Sequence, residues 1–378
     1  MGKLDFDVLI AGAGPAGCAT AIRLADSGLK IALIDKAKFP REKICGDGLT
    51  VDVLKQLKML SPRLSETIYN FGEKVVPDGC FITSAKGYQN YFEIKESQRL
   101  FVMKRANFDY ELLKECRNYS NIHIFENTQL TMCSVSDTQV TLQTTVGEYS
   151  GKIVVGADGL NSLIAKFVNP NRYNETRYAS SVKAYFSNVK DGDYKNVIEI
   201  HYLKELVPGY FWIFHMPNNM SNVGLGMDER TVRKKGIKLG EVFTNIIKNN
   251  PRLKDRFKDA TMEGKLQAYR IPIFNGYKKI YDNRVLLAGD AANLVNPLSG
   301  EGVGNALRSG RYAAEHIKDC FKSNDFSKEF NKAYFNRIRK IMFPELRRHA
   351  AFAIVSKMGW VINFVLKNGQ TLRRLFRL

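Results

Sequence analysis

The chain has 378 residues, 44% of them hydrophobic, and 57 Lys and Arg against 38 Asp and Glu give a formal net charge of +19. That length exceeds one ordinary core and predicts two domains, while no apolar run reaches the roughly 18 residues of a membrane-spanning helix. The basic excess suits an anionic partner (nucleic acid, anionic lipid or a phosphorylated small molecule) or a plain solvated surface, and the absence of any helix-turn-helix, RNP or zinc-finger pattern argues against nucleic acid.

The start, Met1 to Phe6, runs straight into a strand pattern, so no secretion signal is expected, and Phe6 breaks the myristoylation pattern. Cysteines 18, 45, 80, 116, 133 and 320 are scattered without a CxxC pair. That spacing predicts no metal site, a reducing cytoplasmic setting, and mostly small buried thiols.

The first element is an apolar strand, Val8 to Ala11, followed by Gly12-Ala13-Gly14-Pro15-Ala16-Gly17. A helix over Cys18 to Ser27, closed by Gly28, and a second strand, Lys30 to Ile34, complete the unit. In this GxGxxG pattern Gly12 makes the tight turn, Gly14 admits a pyrophosphate, and Gly17 lets helix pack on strand. The free N–H groups of the helix start face the phosphates. Asp35, 18 residues past Gly17, is placed for a ribose hydroxyl pair. The unit predicts a dinucleotide without deciding between NAD and FAD.

"PREKICGDGL" (Pro40 to Leu49) then sets a thiol, Cys45, in a glycine turn. Alternating stretches, "GCFITSAKGYQNYFEI" and "SSVKAYFSNV…VIEIHYL…GYFWIFHM…NVGLGM", predict an antiparallel sheet with one wet face. Tyr210 and Trp212 alternate with Phe211 and Ile213 in "PGYFWIFHMPNNMSNVGLGM". Such aromatics line either a pocket for a long apolar ligand or a plain sheet face. His215 is expected to be a satisfied core or edge histidine. "RTVRKKGIKLGEVFTNIIKNNPRLKDRF" (Arg230 to Phe257) reads as helical with a basic exposed face.

Two further strand-turn-helix units follow the same logic. One contains Ala157-Asp158-Gly159, with its helix capped near Asn161 or Ser162. The other contains Gly289-Asp290, Asn296-Pro297 and Gly300-Glu301-Gly302 before a long helix. Asp290, at a strand end, can accept hydrogen bonds from sugar-like hydroxyls. Glycines 300 to 304 would present a helix start to an electron-rich group, as a reduced flavin edge is. The C-terminal stretch from Ala350 is apolar and then basic, suited either to packing on the sheet or to lying on an anionic membrane.

GAGPAG, GADG and GDAANLVNPLSGEGVGNAL together resemble the flavin monooxygenase-type, para-hydroxybenzoate hydroxylase-like FAD superfamily. It includes aromatic hydroxylases, flavin-dependent halogenases and geranylgeranyl reductases, and the resemblance spans roughly residues 5 to 330. It implies an α/β fold: a Rossmann-like (GR2-type) FAD-binding domain assembled from 1–75, 100–170 and 275–330, an antiparallel-sheet substrate domain from 76–99 and 171–274, and a C-terminal helical segment, 331–378. It implies FAD as cofactor, with contacts at Gly12, Gly14, Pro15, Ala16, Gly17, Asp35 (adenosine) and Lys36. Further contacts fall at Cys45, Gly46, Asp47, Asp158, Gly159, Gly289 and Asp290 (ribityl), and at Pro297, Gly300, Gly302, Val303 and Gly304 around the isoalloxazine. Arg105, in "FVMKRANFDYELL", stands where the family often sets an arginine facing FAD; the alternative is a solvated helix-start charge.

Within the superfamily, Lys43, Cys45, Gly46, Asp47 and Gly48 resemble the K-x-CGDG segment of the geranylgeranyl reductase branch. Gly209, Tyr210, Trp212, Phe214, Asn222, Val223, Gly224 and Gly226 resemble its GYxWxFP…NVGxG stretch, with His215 in place of the usual proline. The branch implies hydride transfer from reduced flavin to a prenyl double bond. Cys45, or a water it holds, would be the proton donor, since no other acid is so placed. Tyr210, Trp212 and Phe214 would line the hydrophobic substrate. The alternatives are an FAD monooxygenase or halogenase on an aromatic or polyketide-like substrate, and a flavin protein without turnover. The expected partners are a hydrophobic small molecule, an electron donor (NAD(P)H or a ferredoxin), no nucleic acid, and peripheral contact with a membrane.

Overall fold

The computed structural model describes residues 3–277, 279–355 and 359–368. Among them a six-stranded sheet is ordered Tyr281–Asp282, Val285–Leu287, Ile153–Gly156, Val8–Ala11, Ile31–Ile34, Ile122–Phe125. All its pairings are parallel except the first. Its inner strands are buried on both faces, as their unbroken Val/Ile/Leu runs require. The Pro15–Leu24 and Val303–Ser323 helices cross close together on one face, because a Cβ on Gly310 would sit 2.2 Å from Ala16 O. The first helix begins at Pro15, three residues before the expected Cys18, since proline suits a first helical position. It ends at Leu24 and passes through a 3-10 turn to Gly28 at φ +71°.

A second, seven-stranded sheet is ordered Thr261–Ile273, Arg177–Ser187, Met220–Asp228, Gly209–Met216, Val197–His201, Gly79–Thr83, Gln89–Glu93. It is antiparallel except for one parallel pair, Val197–His201 with Gly79–Thr83. One face carries Val182, Ala184, Phe186, Phe211, Ile213, Val223 and Leu225 into a core shared with the Leu239–Asn249 helix. The opposite face, bearing Lys183, Tyr185, Tyr210, Trp212, Phe214 and Asn222, meets the Cys45 turn. Thr261–Ile273 is the longest strand and carried no sequence signal, because its burial runs mostly exposed to half-buried. A small sheet of Lys3–Asp5, Glu148–Gly151, Val140–Thr144 and Leu130–Val135 was equally unmarked. The C-terminal helices Phe343–Val355 and Gly359–Lys367 follow, and the second lies against the Gln89–Glu93 edge through Asn90 Nδ2 donating to Leu366 O. Residues 369–378, which carry the basic end of the tail, lie outside the described residues. No described helix is long and apolar enough to cross a membrane.

Candidate functional site

Three glycine turns converge at the ends of the parallel strands. Gly12 adopts φ +100°, and a Cβ there would stand 2.4 Å from Ala157 O, so the first and second turns interlock only through a glycine. A Cβ on Gly17 would fall 1.8 Å from Gly12 O. Gly14 caps the Pro15 helix without any side-chain hydrogen bond. Asp35 accepts from Ala13 N at 2.8 Å through one oxygen and from Ala37 N at 2.8 Å through the other, which fixes its carboxylate at the strand end. Lys36 is exposed.

Arg41 was not singled out from sequence. Its Nη2 stands 3.6 Å from where a Gly14 Cβ would be and 3.1 Å from Asp109 Oδ2, and its Nη1 is buried without a hydrogen-bond partner among the described residues. An unpartnered guanidinium N–H beside a bare helix start fits a diphosphate, so these residues fit the FAD that the sequence implies.

The other two turns are less open than expected. Asp158 spends its carboxylate on its own helix, accepting from Ser162 Oγ and from Leu163 N at 2.8 Å. Burial nevertheless raises it above the ordinary carboxylate range. Gly159 sits beside it at φ +77°. Gly289, at φ +61°, lies between Ala16 and Ala306. Asp290 offers its backbone carbonyl to Arg172 at 2.7 Å, and its Oδ1 lies 3.4 Å from where a Gly302 Cβ would be. Pro297 and Gly300 complete the loop before Val303 opens the long helix. Glu301 Oε1 accepts the Gly304 N–H at 2.7 Å, so the expected open helix start is partly capped by a side chain of its own loop. Burial pushes that carboxyl up to about 7.

The Cys45–Gly48 turn is held from three other parts of the chain. Asp47 is fully buried and sits at φ +64°. Its Oδ1 accepts from Arg105 N at 3.0 Å, and its Oδ2 accepts from Tyr185 Oη and Asn222 Nδ2, both at 2.7 Å. Burial raises the Asp47 carboxyl above its usual range, against these donors and nearby Lys183. Asn222 also donates to Cys45 O at 2.8 Å, and its Oδ1 accepts from Trp212 Nε1 at 2.9 Å, so its orientation is fixed on both sides. Cys45 is half-buried, with Arg105 Nη1 3.8 Å from its sulfur.

Arg105 is only 7% exposed and holds Asp109 through two bonds of 2.8 and 2.9 Å. The alternative of a solvated charge is thereby corrected: the i, i+4 acid on the Arg105–Arg117 helix buries it. Cys45 is also not the sole titratable group here. Lys43 Nζ rests 3.6 Å from the Tyr269 ring centroid, and burial brings its ammonium down to about 8.

The three predicted aromatics face the glycine turns. Tyr210 Oη donates to Ser299 O at 2.5 Å, while a Cβ on Gly46 would stand 3.4 Å from Phe214 and 3.7 Å from Trp212 Nε1. His215 bonds Ser221 Oγ at 3.0 Å through Nδ1, and its Nε2 faces Glu199 Oε1 at 3.5 Å. Beyond Phe214 and Trp212 the register places Ile198 and Ile200, then Cys80 and Ile82, on the same face. All four are half-buried, forming an apolar ladder that leads away from the Cys45 turn.

The profile of the FAD binding domain family matches residues 5–322. A digeranylgeranylglycerophospholipid reductase of Methanocaldococcus jannaschii is 29% identical over 363 residues, covering 94% of this chain and 88% of that protein. A geranylgeranyl bacteriochlorophyll reductase-like protein from Thermoplasma acidophilum superposes with a TM-score of 0.82 at 21% identity, over 97% of this chain and 91% of that one. The halogenase PltM, in complex with phloroglucinol and FAD, superposes at 0.71 with 19% identity, over 87% of this chain and 72% of that one.

Proposed function

This chain belongs to the FAD binding domain family, and from that premise we propose that it reduces carbon–carbon double bonds of a geranylgeranyl-type prenyl lipid or quinone. The observation that carries the reading is the apolar ladder of Ile198, Ile200, Cys80 and Ile82, which ends at Trp212 and Phe214 against the Cys45–Arg105 pair. A long hydrocarbon fits such a face, and a proton source stands at its end. The names of the sequence relatives support the same substrate class.

Gly12, Gly14, Asp35 and Arg41 would hold FAD, whose chemistry when bound is a hydride for one alkene carbon. The remaining task is a proton for the other carbon. The Cys45 thiol supplies it, and the Arg105 guanidinium, 3.8 Å away, stabilises the negative charge that stays on sulfur. Asn222 fixes the Cys45 carbonyl, and through it the direction of the thiol. Trp212 and Phe214 cover the turn and keep water from it. The electron donor is NAD(P)H or an acidic ferredoxin drawn by the +19 charge. The protein works in the cytoplasm with its basic tail on an anionic membrane; removal of 369–378 should weaken liposome co-sedimentation, and undiminished binding refutes that role.

The test is anaerobic. Flavin reduced by dithionite should be reoxidised by a geranylgeranyl lipid, with a product mass gain of two hydrogens per bond. Reoxidation only on admission of O₂ refutes the reading and favours the oxygen-using branch, to which the halogenase likeness in fold belongs.

A further inference from the structure

The amine of Lys183 has no part in the chemistry above. It projects from the sheet face opposite the Val182–Ala184 core, beside Tyr185, and its strand partner is Gly224, which has no side chain to meet it. Lys183 is 2% exposed, and its Nζ has no hydrogen-bond partner among the described residues. What it has is a ring. Its Nζ lies 3.5 Å from the Tyr185 ring centroid, and the Nζ of Lys104, an exposed residue, lies 5.4 Å from the same centroid. The carboxylates whose charge reaches Lys183 are Asp47 and Glu42. Asp47 already takes three hydrogen bonds, including one from Tyr185 itself.

A ring face attracts an ammonium less strongly than water does, so burial leaves this amine short of acceptors. A second ammonium on the same ring adds repulsion. A doubly charged group with several oxygens meets both needs. We propose that Lys183 and Lys104, both beside the Tyr185 ring, form a site for a phosphate ester, carried by the prenyl substrate or by a nucleotide electron donor. The diphosphate of FAD has its own cradle at Gly14, where Arg41 reaches Asp109. The identity of the lipid rests on the reductase reading; the charge of the ligand does not.

The experiment uses the FAD-loaded protein and the variants Lys183→Gln and Lys104→Gln, with Lys183→Met as a second replacement should Gln fold poorly. Equilibrium binding of geranylgeranyl phosphate and of geranylgeraniol is followed by tryptophan fluorescence, which needs no turnover and reports on Trp212 together with Trp360. The wild type should prefer the phosphate, and each variant should lose about 10- to 100-fold for the phosphate alone, the worth of one charge-assisted hydrogen bond. A parallel arm compares flavin reduction by NADPH and NADH. A lost preference for NADPH in the variants keeps the site and assigns it to the nucleotide. Equal binding of phosphate and alcohol together with unchanged donor preference overturns the proposal. So does a change confined to FAD content or the flavin spectrum, which gives Lys183 to the cofactor. Phosphate selectivity without any reoxidation of reduced flavin sinks the reductase reading and leaves the phosphate site standing.

Discussion

Replacement of Asp47 separates a built hydrogen-bond hub from a passive turn residue. In Asp47→Ala three buried donors lose their acceptor: Arg105 N–H, Tyr185 O–H and Asn222 Nδ2–H. Asn222 cannot turn to compensate, because its amide nitrogen also holds Cys45 O and its oxygen also holds Trp212 Nε1. Each unmet buried donor costs about 1–3 kcal/mol, and alanine at φ +64° adds about 1 kcal/mol. Removal of a desolvated carboxylate offsets part of this, leaving a loss of roughly 3–5 kcal/mol. Asp47→Asn tolerates the same backbone and keeps an oxygen for Tyr185 and Asn222. Its amide then opposes only the Arg105 N–H, a loss of about 1–3 kcal/mol. Urea unfolding of the FAD-loaded protein should therefore rank wild type above Asp47→Asn above Asp47→Ala. Tyr185→Phe should cost about 1 kcal/mol in the wild type and nearly nothing in Asp47→Ala, where the hydroxyl is already unpaired. An alanine variant as stable as the asparagine one, or a Tyr185 effect that is equal in both backgrounds, refutes the hub.

Cys45→Ala should lower anaerobic alkene reduction by about 10²- to 10⁴-fold, the usual worth of a positioned acid, with FAD absorbance unchanged; unaltered single-turnover reoxidation would move the proton to another donor. Gly224→Ala should cost stability and shift tryptophan fluorescence, because the new Cβ would stand 2.3 Å from Trp212 Cζ2 and 2.6 Å from Val182 O; a variant with wild-type emission and urea midpoint contradicts that packing. Lys43, held at about 8 in the fold against 10.5 in the free side chain, binds less proton folded than unfolded across that window. Stability should therefore rise with pH between those values by a component that Lys43→Met removes, seen as a smaller difference between urea midpoints at pH 8 and pH 10.

The glycine turns were legible because each is a local demand. Gly12 at φ +100° and the apolar strand before it are fixed by a few consecutive residues. The sheet face was legible through alternation, which set Phe211 and Ile213 inward and Trp212 toward the turn. The hub was not, because Asp47 meets Tyr185 and Asn222 across 138 and 175 residues, and no spacing announces such a pairing. Asn222 lay inside a recognised stretch, yet its role depends on a partner outside it. Arg41 escaped notice for the same reason: its neighbours are Gly14 and Asp109. The Thr261–Ile273 strand was missed because its residues run exposed to half-buried and so carry little contrast.

The three-way anchoring of the Cys45 turn bears on inheritance as well as chemistry. Residues 47, 105, 185 and 222 come from four separate parts of the chain, and each bond crosses from one to another. A chimera that imports the seven-stranded sheet of a relative must bring a hydroxyl at 185 and a carboxamide at 222, or the Cys45 turn loses the bonds that shape it. Recombination within this fold is therefore free at the apolar ladder and forbidden at the turn. The ladder is where side chains can change while the Cys45 turn stays fixed.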